Sequence, residues 1–111
     1  MRTANKGQLL RLHFSETDRH NGRPLYEAVV ARAKELGIAG ATVFRGIEGY
    51  GGTAEIHRPH LMRHDQPIVV TIVDTANNIN RLIPEVEAMM DKGLIATSDV
   101  ECIRIQRSAD S

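Results

Sequence analysis

The sequence predicts an α+β domain in which a four-stranded antiparallel sheet carries two helices on one face. Three observations lead there. Apolar residues alternate with period two in four short stretches, they recur with helical period in two longer ones, and the segments follow one another as strand, helix, strand, strand, helix, strand. Two strand–helix–strand units with right-handed crossovers, joined by a long connection, close into such a sheet with both helices on the same side.

Each element has its own warrant. In QLLRLHF, Gln8 to Phe14, the residues Leu10, Leu12 and Phe14 share one face and Leu9, Arg11 and His13 the other. The polar run SETDRHNG reads as a turn. It leads into PLYEAVVARAKELG, where Leu25, Ala28, Val29, Ala33 and Leu36 keep helical spacing, Pro24 suits the first turn and Gly37 the stop. GATVFRG, Gly40 to Gly46, is the second strand and PIVVTIVD, Pro67 to Asp74, the third. The third is apolar on both faces, with Ile68, Val70 and Ile72 on one and Val69 and Val73 on the other. The second helix, NNINRLIPEVEAMMDKG, aligns Ile79, Leu82, Ile83, Val86, Met89 and Met90. Asn77 or Asn78 is expected as its cap, Gly93 as its stop, and Pro84 is expected to bend it. VECIRIQR, Val100 to Arg107, places Ile103 and Ile105 on one face of the last strand, and SADS follows as a polar tail. This order is the ferredoxin-like βαββαβ sandwich.

Bulk composition bounds the function. The 111 residues suit one domain, 1–111, and 41% apolar with 25% charged residues are globular proportions. Net charge is zero, so no overall field attracts nucleic acid or an anionic membrane. Cys102 has no second cysteine to pair with, no signal segment is apparent, and no apolar run approaches the ~20 residues of a membrane span. The cytoplasm is the expected compartment, with Cys102 packed in a strand.

Enzymatic readings find little support. Acylphosphatases of this fold need a glycine-rich anion-cradling turn after the first strand, and the turn here is acidic and polar. No nucleophile–base pair or paired-carboxylate constellation is visible, so no catalytic residue is expected. Metal carriers of this fold use paired cysteines. His57, His60 and His64 crowd the connection at spacings that suit a metal only if it were helical, and no metal site is expected there. RNA-binding sheets need exposed aromatics within a basic–aromatic consensus, which Phe14, Tyr26, Phe44 and Tyr50 do not form. His13, beside Arg11, reads either as a subunit contact or as part of a ligand cleft.

The connection itself is the more informative feature. Gly46, Gly49, Gly51 and Gly52 fall within seven residues at its start, which allows positive φ and close backbone approach to a ligand, or else a bulged strand end. Residues 47–66 show no periodicity, and connections this long are commonly functional loops. Two helices cover one sheet face only, so the apolar second face of the third strand implies self-association.

SETDRHNGRPLYEAVVARAKELGIAGATVFRGIEGYGG, then EIH, PIVVTIVD and IPEVEAMMDKGLI, resemble the PII-like domain of unknown function 190, from about Leu9 to Ile105. That family is similar to the PII nitrogen-signalling proteins. The resemblance implies a homotrimer binding an adenine nucleotide, AMP, ADP or ATP, between subunits, and regulating a partner through the loop. That partner is expected to be a membrane transporter or an enzyme. No resident cofactor is implied. An adaptor docking on such a partner without any small ligand is the alternative.

By resemblance, Gly40, Ala41 and Thr42 line the nucleotide cleft through backbone groups. Gly49, Tyr50 and Gly51 match the glycine–aromatic–glycine at the loop base, with one extra residue between the two motifs here. The chain departs from PII at KGLIATSD, where PII proteins carry a glycine-rich phosphate loop, and it has no counterpart of the basic C-terminal PII strand. Arg104 is the expected cationic ligand contact, with Arg107 near it. Tyr50 lies at the loop base, so uridylylation is not expected. The segment Glu16–Asp18, with Arg23 and Tyr26, belongs to the PII-like pattern and is expected to cap the first helix.

Overall fold

The computed structural model describes residues 2–51, 55–57 and 65–107. Strand β1 (Arg2–Ser15) is followed by the two-residue strands β2 (Arg19–His20) and β3 (Arg23–Pro24), helix α1 (Leu25–Glu35) and strand β4 (Thr42–Arg45). Then come β5 (Gly49–Gly51), β6 (Glu55–His57), β7 (Pro67–Asp74), helix α2 (Ala76–Met89) and β8 (Leu94–Ile105). The main sheet has the order β4-β7-β1-β8 with every neighbour antiparallel, which is the predicted ferredoxin-like arrangement.

The period-two pattern sets the register. Leu10 faces Ile72, Leu12 faces Val70 and Phe14 faces Ile68, so the apolar halves of β1 and β7 meet on one side of the sheet. Onto that side α1 delivers Leu25, Ala28, Val29 and Ala33, and α2 delivers Ile79, Leu82 and Val86, all buried. Arg32 of α1 donates to Glu85 of α2 at 2.7 Å, and Arg81 reaches the Leu36 carbonyl at 3.1 Å, tying the helices at their outer rim. Met89 and Met90 pack against this core as half-buried filler.

Several expectations are corrected in detail. β1 begins before the alternating stretch Gln8–Phe14 because Arg2–Gly7 pairs with Val100–Ile105, and β8 begins at Leu94, ahead of the expected Val100, because Leu94–Asp99 pairs with Gln8–His13; it also ends at Ile105, short of Arg107. Helix α2 is capped by Thr75, whose hydroxyl accepts from the Asn78 N–H at 3.2 Å, and not by Asn77 or Asn78. Asn78 instead donates its side-chain amide to Asp74 at 2.9 Å. The helix ends at Met89, before Gly93, because Met90 already has extended backbone. Pro84 sits inside it on the exposed side, where water can serve the Asn80 carbonyl that loses its intrahelical donor. The turn before α1 closes on Asn21 and Gly22 with φ of 50° and 81°, as a tight hairpin requires.

Among the described residues no helix lies on the opposite face of the main sheet. Phe44, Val73 and Leu94 lie exposed on it, while Leu9, Val69 and His13 are half-buried. None of the helices described is long and apolar enough to cross a membrane.

Candidate functional site

The long connection leaves the sheet at Arg45 and returns at Pro67, and its two feet meet. Gly46 N–H donates to the Pro67 carbonyl at 2.7 Å. A Cβ on Gly46 would lie 2.7 Å from Pro67 Cγ, so glycine is needed there for close approach to the proline ring. The positive φ that this glycine stretch allows is found at neither Gly46 nor Gly49, and is found at Gly22, Gly37 and Gly93.

The expectation that residues 47–66 lack secondary structure is also corrected. β5 and β6 pair through Gly49 with His57, Tyr50 with Ile56 and Gly51 with Glu55, forming a two-stranded ribbon. Glycine is a poor strand former, which is why residue preference hid this pairing. His60 and His64 lie outside the described residues, and among the described residues no group of three potential ligands gathers for a metal.

Both feet are gripped by the turn that follows β1. Glu16 pairs with Arg45 on the outgoing foot, and the Glu16 backbone N–H donates to the Gln66 carbonyl at 2.8 Å on the returning one. The hydroxyls of Ser15 and Thr17 both donate to Oδ1 of Asp65, that of Thr17 at 3.1 Å. Asp18 closes the turn by accepting from the Ser15 N–H at 3.0 Å. The side chains of Glu16 and Thr17 therefore clamp the loop base, and the expected capping of α1 is met through main chain: the Asp18 carbonyl accepts from the Leu25 N–H at 2.8 Å, while the N-cap, Pro24, has no side-chain bond. Arg45 is raised above its ordinary pKa, mainly by the hydrogen bond to Glu16. Oε1 of Glu16 is buried without a hydrogen-bond partner among the described residues. The contacts to Arg45, Asp65 and Gln66 span 29 to 50 positions in the chain, so no local signal could have announced them.

A second constellation lies at the other end of β7. Asp74 accepts from Ala39 N–H at 2.9 Å, Thr75 N–H at 2.7 Å and the Asn78 amide. Burial pushes its carboxyl up, but these donors, in the order Ala39, Asn78, Thr75, and the charge of Arg104 outweigh it and hold the carboxyl below its usual value. The segment entering β4 is thereby tethered to the start of α2. Beyond this tether Gly40 is exposed with open space around it, Ala41 packs on the core, and Thr42 is exposed.

Of the residues singled out in the sequence, Gly40, Ala41, Thr42 and Arg104 gather at the Asp74 end of the sheet. Gly49, Tyr50 and Gly51 lie beyond the opposite end, where Gly49 sits beside Pro67. One copy of the chain does not bring the two groups together. Two shallow pockets flank the fold. One, of about 280 Å³, is lined by Asp18, Arg19, Met89 and Lys92; the other, of about 470 Å³, lies among Lys6, Gln8, Ala76, Asp99 and Glu101.

With this geometry in hand, comparison with known proteins is informative. The model of the DUF190 family, described as an uncharacterized ACR, matches residues 7–102. The chain belongs to this family. DUF190 relatives include a UPF0166 protein from Aquifex aeolicus (strain VF5), 44% identical over 100 residues, covering 88% of this chain and 94% of that protein. A UPF0166 protein from Methanocaldococcus jannaschii is 36% identical over 97 residues, covering 85% of this chain and 89% of that one. Among solved structures, CPII from Thiomonas intermedia K12, a nitrogen regulatory PII-like protein bound to ADP, AMP and bicarbonate, superposes with a TM-score of 0.66. Identity to CPII is 17%, with 90% of this chain and 91% of that chain covered, so this likeness establishes a shared fold. The DUF190 chain thus has the PII-like form of the ferredoxin-like sandwich.

Proposed function

We propose that the protein is a non-catalytic, cytoplasmic PII-like signalling protein. It binds an adenine nucleotide between the subunits of a homotrimer and regulates a partner protein through residues 47–66. The observation that carries this reading is the loop base: both feet are fastened to one turn, beside a sheet face that the described residues leave uncovered.

The separation of Gly40–Thr42 from Gly49–Gly51 within one copy supports a cleft shared between copies. In such a cleft the tethered segment of one subunit meets the loop base of the next. The fold shared with CPII, which binds ADP and AMP, supports an adenine nucleotide as the ligand. Arg104 supplies a cation at the Gly40 end. The switch is a population shift, in which the ligand contacts the loop base differently in its two states and only that difference reaches the partner.

Isothermal titration with AMP, ADP and ATP tests the reading. Saturable heat with at least one nucleotide, lost when Thr42 is replaced by a bulky residue, is expected. Absence of heat with all three would remove the nucleotide from the proposal.

A further inference from the structure

The smaller of the two pockets brings together four charges from two distant segments. Asp18 and Arg19 line it from the turn after β1, Asp91 and Lys92 line it from the segment after α2, and Leu25 and Met89 give it an apolar part. Each wall thus presents a carboxylate followed by a cation. None of the four takes part in an ion pair among the described residues. Asp18 accepts from the Ser15 N–H through Oδ2, which leaves its Oδ1 open.

The end of α2 supplies a second, independent observation. The Met90 N–H donates to the Val86 carbonyl at 3.1 Å, but the carbonyls of Glu87, Ala88 and Met89 accept no main-chain bond among the described residues, and no basic residue lies in the last turn. Helix α1 ends differently. Its Arg32, Ala33 and Lys34 carbonyls accept from Leu36, Ile38 and Gly37, and Arg32 and Lys34 place positive charge in its last turn. The end of α2 therefore concentrates negative partial charge beside Asp91 and next to the pocket.

A simple anion in this pocket meets Asp18 and Asp91, and a simple cation meets Arg19 and Lys92. An occupant carrying both charges is the kind that finds a complement on each wall. The volume, about 280 Å³, is at the small end for ligand pockets and suits a molecule of few heavy atoms.

We infer that this pocket binds a small zwitterion of the α-amino-acid class. Its ammonium faces Asp91 and the carbonyls that end α2, its carboxylate takes the planar donor fork of Arg19, and its apolar side chain lies on Leu25 and Met89. Asp18 belongs to the turn whose hydroxyls hold Asp65 and whose Glu16 holds Arg45, so the occupant touches the element that clamps the loop base. The site goes beyond the nucleotide reading and does not depend on it.

Titration of the full chain with L-leucine, followed through backbone amide NMR shifts, tests the inference. Saturable shifts at Arg19, Asp91 and Lys92 are expected, with half-saturation on the order of 1 mM or below. Leucinamide lacks the carboxylate and N-acetyl-leucine lacks the ammonium; each is expected to bind about fivefold more weakly or worse. Arg19→Gln and Asp91→Asn change exposed side chains and are each expected to weaken leucine binding roughly threefold to fivefold without altering the rest of the spectrum. Absence of saturation, singly charged analogues that bind as tightly as leucine, or binding unchanged in both variants overturns the inference. Titration of the same sample with ADP decides the nucleotide reading separately, so the two can fail independently.

Discussion

At Gly93 the backbone takes φ of +129°, and a Cβ there would collide with the carbonyl oxygen of His13 and the end of Met90. Both the conformation and the space demand glycine. Gly93→Ala is expected to cost ~2 kcal/mol or more in urea unfolding, since backbone strain and a clash with main chain add. Asp74 makes a different kind of prediction. Its carboxyl is held below the usual value in the folded protein, so its contribution to stability is complete above the unfolded pKa, about 3.9, and is lost as pH falls through the lower folded value. Asp74→Asn, unable to accept from Ala39, Thr75 and Asn78 together, is expected to be less stable than wild type near neutral pH. The gap between the two urea midpoints should narrow in acid; a gap independent of pH would contradict the assignment. Asp74 appeared in the sequence as the last residue of a strand. Its three donors come from both sides of it in the chain, and only the meeting of the β4 entry with α2 reveals its use.

Among the elements, the strands and helices with buried apolar faces could be read directly. Leu10, Leu12 and Phe14, or Ile79, Leu82 and Val86, occur at spacings that bury them in only one kind of element. Boundaries were less legible because caps compete locally. Thr75, Asn77 and Asn78 are all good N-cap types, and the choice fell on Thr75 because Asp74 ends β7 immediately before it. Thr75→Ala should cost about 1 kcal/mol, and Asn77→Ala within about 0.5 kcal/mol of nothing, as measured by thermal or urea unfolding. The pairing of β5 with β6 was hidden for another reason: Gly49, Tyr50 and Gly51 give no strand pattern, and their ladder depends on a partner of equally little pattern, Glu55–His57. The clamp at Ser15–Asp18 belongs to this scale as well. A turn that looked like a side-chain helix cap uses its side chains to hold two distant chain segments, and serves α1 through the Asp18 carbonyl, which accepts from the Leu25 N–H.

For the whole molecule, the two-sided apolar character of β7 led the sequence reading to expect a second covering layer, and the structure shows which apolar residues of that face are exposed in one copy. Phe44 and Leu94 stand at 55% and 58% exposure on opposite strands of the uncovered face. Phe44→Ser is expected to weaken self-association in light scattering at least tenfold, since burying one such ring contributes roughly 1.5–3 kcal/mol per copy, while leaving the unfolding midpoint of the dilute protomer nearly unchanged. A wild-type protein that remains a lone protomer at high concentration would remove the basis for a cleft between subunits. The sequence by itself determined the order of elements, the faces of β1, β7, α1 and α2, and therefore the sandwich, because periodicity is a property of neighbours in the chain. Tertiary structure alone decided that Glu16 meets Arg45, that Ser15 and Thr17 meet Asp65, and that Asp74 tethers Ala39. Those contacts depend on sheet order and register, which bring together groups separated by tens of residues and leave no trace in local spacing.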